Sequence, residues 1–408
     1  MKISTRLCRI VCFATILVLL SLFWFPNVTP VSADAITVET TVDVVDNTDN
    51  LCSLREAVQA SVNQADYNEC RWTPGAYIWL QEDTYTVDQG TLPSITTDVK
   101  IYGANPSTTI IQPSSCNPSE ETCASNHRLF YVSDGTLTLN KLTIRYGYTE
   151  DLYGGAIRNQ IGILNIFNSV FLANKSKRGG AIANSGTLFI KNTTFSLNTA
   201  NNFGVSNFSA GALYNGDLAT ATIEESTFSN NSANWGGAIR NHGTLDIVNC
   251  TFSGNTALDE GGGIFNHNTL TITNSTLSEN AATNGGAGIY NSNSGTLNFT
   301  NTIIANATAG SECLNDGDVI SINLNNLIED ESCSPTYSGD PSLGPLADNG
   351  GHTQTHALLP GSPAMEMADP DACPTKDQRG IGRPQGKECD IGAYEFEYTY
   401  NFIPLFSK

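Results

Sequence analysis

GGAIRN at 154–159 returns as GGAIAN at 179–184, AGALYN at 210–215, GGAIRN at 236–241, GGGIFN at 261–266 and GAGIYN at 286–291, at steps of 25, 31, 26, 25 and 25 residues. A second motif keeps the same beat: FLAN at 171–174, FSLN at 195–198, FSNN at 228–231, FSGN at 252–255, LSEN at 277–280 and IIAN at 303–306. Self-similarity at a fixed period in this range is the mark of a solenoid. Between the two motifs lies an alternating pair such as Leu188/Ile190, Leu245/Ile247, Leu270/Ile272 or Leu297/Phe299. Period two sends both side chains inward and the residue between them outward. Three short strands and three turns per coil predict an all-β protein, a parallel β-helix whose rungs lie about 4.8 Å apart. The wind expected of parallel crossovers is right-handed.

Stacking turns each repeated position into a ladder. Phe171, Phe195, Phe228 and Phe252 are expected inside, continued by Leu277 and Ile303. Asn159, Asn184, Asn215, Asn241, Asn266 and Asn291 predict an amide ladder at one corner, and Asn174, Asn198, Asn231, Asn255, Asn280 and Asn306 predict another. Asn suits both, since it tolerates turn dihedrals and its amide donates and accepts along the stack. The longer step to 210 places an inserted loop around 201–209. The sequons, such as Asn192-Thr193-Thr194 and Asn274-Ser275-Thr276, follow from the repeat and do not by themselves indicate glycosylation.

A stack of coils leaves apolar ends to cover. CSLREAVQASVNQ at 52–64 holds the one convincing helix, with Ser53 and Glu56 as a capping box and Leu54, Ala57, Val58, Ser61 and Val62 on one face. It predicts an N-terminal cap over 34–94, preceded by a strand in which Ile36, Val38, Val42 and Val44 alternate. Repeats fill 95–335, a Pro/Gly-rich closing cap spans 336–396, and 397–408 form a tail. From Tyr394 to Phe402, aromatic residues alternate with polar ones as in a half-buried strand.

Residues 1–33 read as a secretory signal: Lys2, Arg6 and Arg9, an apolar run from Ile10 to Phe25, and a small-residue cleavage site at Val31-Ser32-Ala33. Export makes disulfides possible. Cys52, Cys70, Cys116, Cys123, Cys313, Cys333, Cys373 and Cys389 fall in local pairs. Proximity favours 52–70, 116–123, 313–333 and 373–389, among about 105 possible connectivities. Cys250 takes the place of Ser169, Ser226 and Ser275 in other repeats and reads as a free small residue. The net charge is −20, which argues against nucleic acid and anionic membrane surfaces as partners. After the first 33 residues no stretch is apolar and long enough to span a bilayer.

CSLREA at 52–57 resembles the signature of bacterial CSLREA-domain exported proteins. DPSLGPLADNGGHTQTHALLPGSPAMEMADP at 340–370, DQRGIGRPQG at 377–386 and CDIGAYE at 389–395 resemble the choice-of-anchor terminal domain found in them. The GGAI and FxxN repeats are similar to those of chlamydial polymorphic outer membrane proteins. These resemblances imply a secreted or surface-attached right-handed β-helix of the pectin-lyase-like kind.

That superfamily includes polysaccharide lyases and hydrolases, so an enzyme is the alternative to a recognition or envelope-structural protein. A uronate lyase needs a cationic base, yet no Lys or Arg occurs between Asn241 and Thr375. A hydrolase needs grouped carboxylates, and nothing in the spacing of Asp246, Asp259, Glu260 and Glu279 groups them. No catalytic residue and no cofactor is therefore assigned. His242 and His267 read as polar corner residues. Asp43, Asp46 and Asp49 could hold Ca²⁺, though an acidic turn explains them as well. The position before each first-ladder Asn reads Arg158, Ala183, Tyr214, Arg240, Phe265 and Tyr290. On adjacent rungs Tyr214, Arg240, Phe265 and Tyr290 would form an outward stripe able to stack on glycans or grip a cell-surface or matrix protein. A ladder that merely stabilises its sheet is the alternative.

Overall fold

The computed structural model describes residues 34–113, 127–150, 153–200, 209–317 and 320–398. They wind into an all-parallel β-solenoid, consistent with a right-handed parallel β-helix. The coils contribute strands to three long sheets, the first coils to two of them only. Successive Leu-x-Ile strands, from Ala35–Thr37 to Ile320–Leu324, make an eleven-stranded sheet. The Phe strands, from Thr84–Val87 to Tyr337–Ser338, make a second of eleven. Strands ending in the first-ladder Asn make a third of eight, from Phe130–Val132 to Cys313–Asn315. A fourth sheet, absent from the sequence expectation, joins two-residue strands at 199–200, 232–233, 256–257 and 281–282. The glycine pairs of four repeats, at 154–155, 179–180, 236–237 and 261–262, lie before third-sheet strands. A Cβ on Gly237 would collide with the Gly262 carbonyl of the next rung, so Gly237 itself is required, while the last repeat accommodates Ala287 at the same position.

The interior is laddered as the repeat predicts. Phe171, Phe195, Phe228 and Phe252 stack with centroids 4.9, 4.7 and 4.9 Å apart and planes within 12°. Such pairs add about 0.5–1.5 kcal/mol beyond their buried area. In the first Asn ladder each amide donates to the next, from Asn159 through Asn291, at 2.7–2.9 Å. It runs one rung further than expected, to Asn315.

The second ladder runs from Asn174 to Asn280 and stops there, correcting the inclusion of Asn306. Leu277 pairs with Ile304, not Ile303, so the repeat advances by one residue in the last coil. Asn306 then falls at the left-handed corner held by Glu279 on the previous rung, with φ 58° and 60° respectively. Ile303 consequently faces outward.

A left-handed column explains the sequons better than the repeat alone. Asn168, Asn192, Asn249, Asn274, Asn301 and Asn325 sit between the first and second sheets with φ from 44° to 52°. Asn is among the few side chains that tolerate this conformation. Asn274 and Asn301 are fully buried.

The helix forms over Leu54–Asn63 with both arms of its capping box made. Its apolar face joins the main core, and the helix packs against Tyr77–Leu80 and Asp98–Gly103. The preceding strand is shorter than the alternation suggested. It spans Ala35–Thr37; Val42 is exposed and Asp43 is buried instead. Asp43 accepts from Arg55 Nε and Nη2 at 2.7 and 2.8 Å and from the Asp88 and Gln89 amides. Buried deeply, it is nonetheless held below the usual carboxylate pKa by these donors. Asp46 and Asp49 accept from turn amides at Thr48 and Leu51. The structure thus uses these carboxylates as turn and core acceptors and does not gather them into a cation cage.

Disulfides 52–70, 313–333 and 373–389 form as proximity indicated, and Cys250 is free and buried. Cys116 and Cys123 lie outside the described residues, as do residues 1–33, expected as a signal, residues 201–208 and most of the expected tail.

The segment expected as a closing cap lies along the side of the stack. It covers the outer face of the second sheet on the later rungs. Thr227 Oγ1 donates to the Gln354 carbonyl, Thr251 Oγ1 donates to Gln378 Oε1, and the Ala393 amide donates to Thr276 Oγ1. His356 Nε2 meets Ser253 Oγ at 3.0 Å. Leu358, Ala364 and Ile391 pack on the outward Ile303. Residues 394–398 form no strand, and their burial inverts the sequence pattern: Glu395 is buried while Tyr394 and Phe396 are half-buried. The reason is electrostatic, since Arg383 meets Glu395 at 3.1 Å in the interior of this segment.

At the C-terminal end of the coils, Glu312 is buried and accepts from the Ala307 amide at 2.6 Å. Burial, then Asp330 and Glu329, push its carboxyl up to about 7. A carboxyl raised on folding favours stability fully below its unfolded value, near 4.3, and loses that contribution as pH rises through 7. Glu312→Gln keeps the acceptor and is expected to gain about 1–3 kcal/mol over wild type at pH 8 and nothing at pH 4. Urea midpoints at the two pH values check this.

Candidate functional site

The outer face of the third sheet carries the stripe. Parallel pairing with unbroken register aligns Arg158, Ala183, Tyr214, Arg240, Phe265 and Tyr290 on successive rungs. Tyr131 precedes them and Leu314 follows, two positions the repeat motif did not reveal. The face is outward with respect to the core, but it is not open to solvent. Tyr214, Arg240, Phe265 and Tyr290 are 7%, 2%, 4% and 5% exposed.

Neighbours from the connecting corners close the stripe. Trp235 stacks on Phe265 at 5.5 Å, and Phe265 stacks on Tyr290 at 5.1 Å. The Arg240 guanidinium sits 4.5 Å from the centroids of both Trp235 and Phe265. Earlier along the face, Tyr153 receives Arg158 at 4.2 Å and Arg178 at 5.1 Å and lies against Tyr214. Guanidinium groups over aromatic rings are each worth about 0.5–2 kcal/mol, more where water is excluded. Tyr153 and Trp235 were not singled out beforehand; each lies outside the repeated hexapeptide. Both remain half-buried and form the rim of the face.

Electrostatics follow from the burial. Desolvation pulls the Arg240 guanidinium down to about 9 and, with Arg240 beside it, the His242 imidazole down to about 3. Geometry agrees: Arg240 Nε donates to His242 Nε2 at 2.8 Å, which requires a lone pair on that nitrogen. His242 is thus neutral, and its 3.6 Å approach to Asp217 is not an ion pair. His267 lies 4.7 Å from it and meets Ser292 Oγ at 3.0 Å, so both histidines are polar corner residues.

Carboxylates gather at the later end of the stripe, where the sequence spacing grouped none. Asp259 accepts from Trp235 Nε1 at 2.5 Å and from the Asn284 side-chain amide. Tyr290 Oη donates to Asp316 Oδ2 at 2.5 Å and is also hydrogen-bonded to Glu260. Burial, then Asp259 and Asp316, raise the Glu260 pKa. Glu260 and Asp316 come from rungs on either side of Tyr290, 56 positions apart along the chain, so only the fold brings them together. Asp246 is exposed on another sheet and stands apart from this group. Among the described residues, no group of three or more His, Cys, Asp or Glu is arranged to hold a metal ion.

A family model described as the Chlamydia polymorphic membrane protein (Chlamydia_PMP) repeat matches residues 225–242 and 249–267. These are the rungs that carry Trp235, Arg240, Asp259, Glu260 and Phe265. No curated protein and no solved structure gives a match. Among the described residues, no helix is long and apolar enough to cross a membrane.

Proposed function

We propose that this chain is an exported, surface-associated β-helix that recognises glycans or cell-surface proteins through the rim of its aromatic face. The observation that carries the reading is the half-buried Trp235, held rigidly over Arg240 and Phe265 with Asp259 on its indole N–H. A fixed indole edged by carboxylates offers an apolar plane and acceptors side by side, the combination that suits a sugar ring. The buried members of the stripe hold this rim in place. The match to a membrane-protein repeat and the resemblance to CSLREA-domain exported proteins support the surface location and, with it, our reading of an adhesion or envelope role.

Trp235→Ala is expected to cut binding on a glycan or host-matrix array at least about tenfold while the protein stays folded, the loss of one well-placed anchor. Unchanged binding by the variant would remove this rim from the function.

A second reading rests on Glu260 and Asp316. Two carboxyl groups bridged by one phenol, one of them raised, resemble an acid and base pair for glycoside hydrolysis. Release of reducing or unsaturated sugar ends from acidic polysaccharides, abolished in Glu260→Gln, would favour it over recognition alone.

A further inference from the structure

The left-handed Asn column is a docking rail, and only part of it is occupied. On four later rungs its amides hold the main chain of the C-terminal segment. Asn249, Asn274, Asn301 and Asn325 donate to the carbonyls of Lys376, Asp390, Asp369 and Met367 at 2.8–3.2 Å. Asn301 Oδ1 also accepts from the Asp369 amide at 2.6 Å. Recognition here is of backbone, because no side chain of those four residues takes part in these bonds.

Among the described residues, the same column continues on the earlier rungs without a covering chain. Asn168 and Asn192 keep the left-handed geometry, with φ 47° and 52°. Each donates one N–H down the column, to Asn140 and to Asn168. Among the described residues, Asn192 Oδ1 has no hydrogen-bond partner. These two rungs open into a 580 Å³ cavity lined by Asn168, Val170, Asn192 and Thr194, by Pro106 of an earlier coil and by His352 of the C-terminal segment. The cavity thus begins where the self-docked segment ends.

We infer that this cavity binds an extended polypeptide segment of a partner, held through its main chain by Asn168 and Asn192. Continuity with the occupied part of the rail carries the choice of ligand: the same corner, in the same conformation, already binds peptide carbonyls on four rungs. Asn301 and Asn325, on adjacent rungs, take the carbonyls of Asp369 and Met367, two residues apart, so a chain running past the rail bonds successive rungs through alternate residues. Main-chain hydrogen bonding supplies affinity in this mode and tolerates varied sequences. Val170 and Pro106 add apolar contact. The site is on a different face from Trp235 and stands whether or not that rim binds glycans.

The test is selection of a phage library of random linear dodecapeptides on the full chain, with a glycan array run in parallel. Synthetic copies of enriched peptides are expected to bind wild type and to bind Asn168→Gly/Asn192→Gly at least about tenfold more weakly, about 1.4 kcal/mol or more. Glycine keeps the positive φ and removes only the amides, so the fold is preserved. Asn230→Gly, at a left-handed corner outside the cavity, is expected to bind as wild type does. N-methylation of the peptide backbone is expected to weaken binding as the double variant does. The inference is overturned if no peptide is enriched, if enriched peptides bind the double variant normally, or if the double variant loses glycan binding alone.

Discussion

Asn231→Ala is expected to destabilise the β-helix by roughly 3–5 kcal/mol, more than a typical single substitution. Asn231 is fully buried and all its polar atoms are used. Nδ2 donates to the Phe195 carbonyl at 3.0 Å and to Asn255 Oδ1 at 2.9 Å. Oδ1 accepts from the Asn198 amide N–H and side-chain Nδ2, both at 3.0 Å. Alanine removes these four hydrogen bonds in a dry interior and takes from the Asn198 main-chain N–H its acceptor, while Asn198 Nδ2 and Asn255 Oδ1 each keep one partner. An unmet buried group costs about 1–3 kcal/mol, and such costs are not additive. The repeat also couples neighbouring rungs, so the loss spreads along the stack. Urea unfolding followed by far-UV circular dichroism measures it. Asn306→Gly, at the position expected from the repeat to join the same ladder, is expected to change stability by less than about 0.5 kcal/mol, because Asn306 is exposed and glycine keeps its positive φ. Equal effects at the two positions would refute the ladder as drawn.

The second large effect is expected at Arg383. Its side chain is fully buried, and its guanidinium donates to Glu395 and to the carbonyls of Asp390 and Gly392. Glu395 also accepts from the Gln385 and Asp390 amides. Nearby, Asp377 holds Arg379 at 2.8 Å, and Arg379 lies 3.6 Å from the Tyr394 ring centroid. Breaking a buried pair by removing one partner costs about 3–5 kcal/mol, because the other charge is stranded. Arg383→Met is therefore expected to release the C-terminal segment from the side of the coils. Limited proteolysis should cut within residues 340–396 while the repeats stay protected. Loss of the whole fold in one step would show instead that segment and coils form one cooperative unit. Asp390 makes the release pH-dependent: burial raises it to about 6, so its contribution is greatest near pH 4 and declines as pH rises through 6.

Much of the fold was legible because a β-helix repeats its chemistry at the spacing of its geometry. Each inward Phe meets a Phe, and each corner Asn meets an Asn, so a position read once is read on every rung. The misreadings lie where periodicity fails. A one-residue advance at Ile303 moved Asn306 off its ladder. The alternation at 394–402 suggested buried rings, but Arg383, eleven residues earlier, requires a buried Glu395. The capping helix was the exception among non-repeating parts, since Ser53 and Glu56 signal locally.

The candidate site divides in the same way. Its alignment of Arg158, Tyr214, Arg240, Phe265 and Tyr290 came from the repeat. Its closure did not, because Tyr153 and Trp235 project from corners that differ between coils. The Glu260–Tyr290–Asp316 group likewise joins residues of three successive rungs with no shared motif.

By itself, then, the amino-acid sequence determined the solenoid, its ladders and the residues of each rung, since these follow from interactions between like positions one period apart. Only the tertiary structure decided which outward faces remain open. That depends on where non-repeating chain packs against the coils, as when Gln354 meets Thr227 across 127 positions. No period encodes such contacts; they arise from shape and from polar groups that must be satisfied once the rungs are stacked.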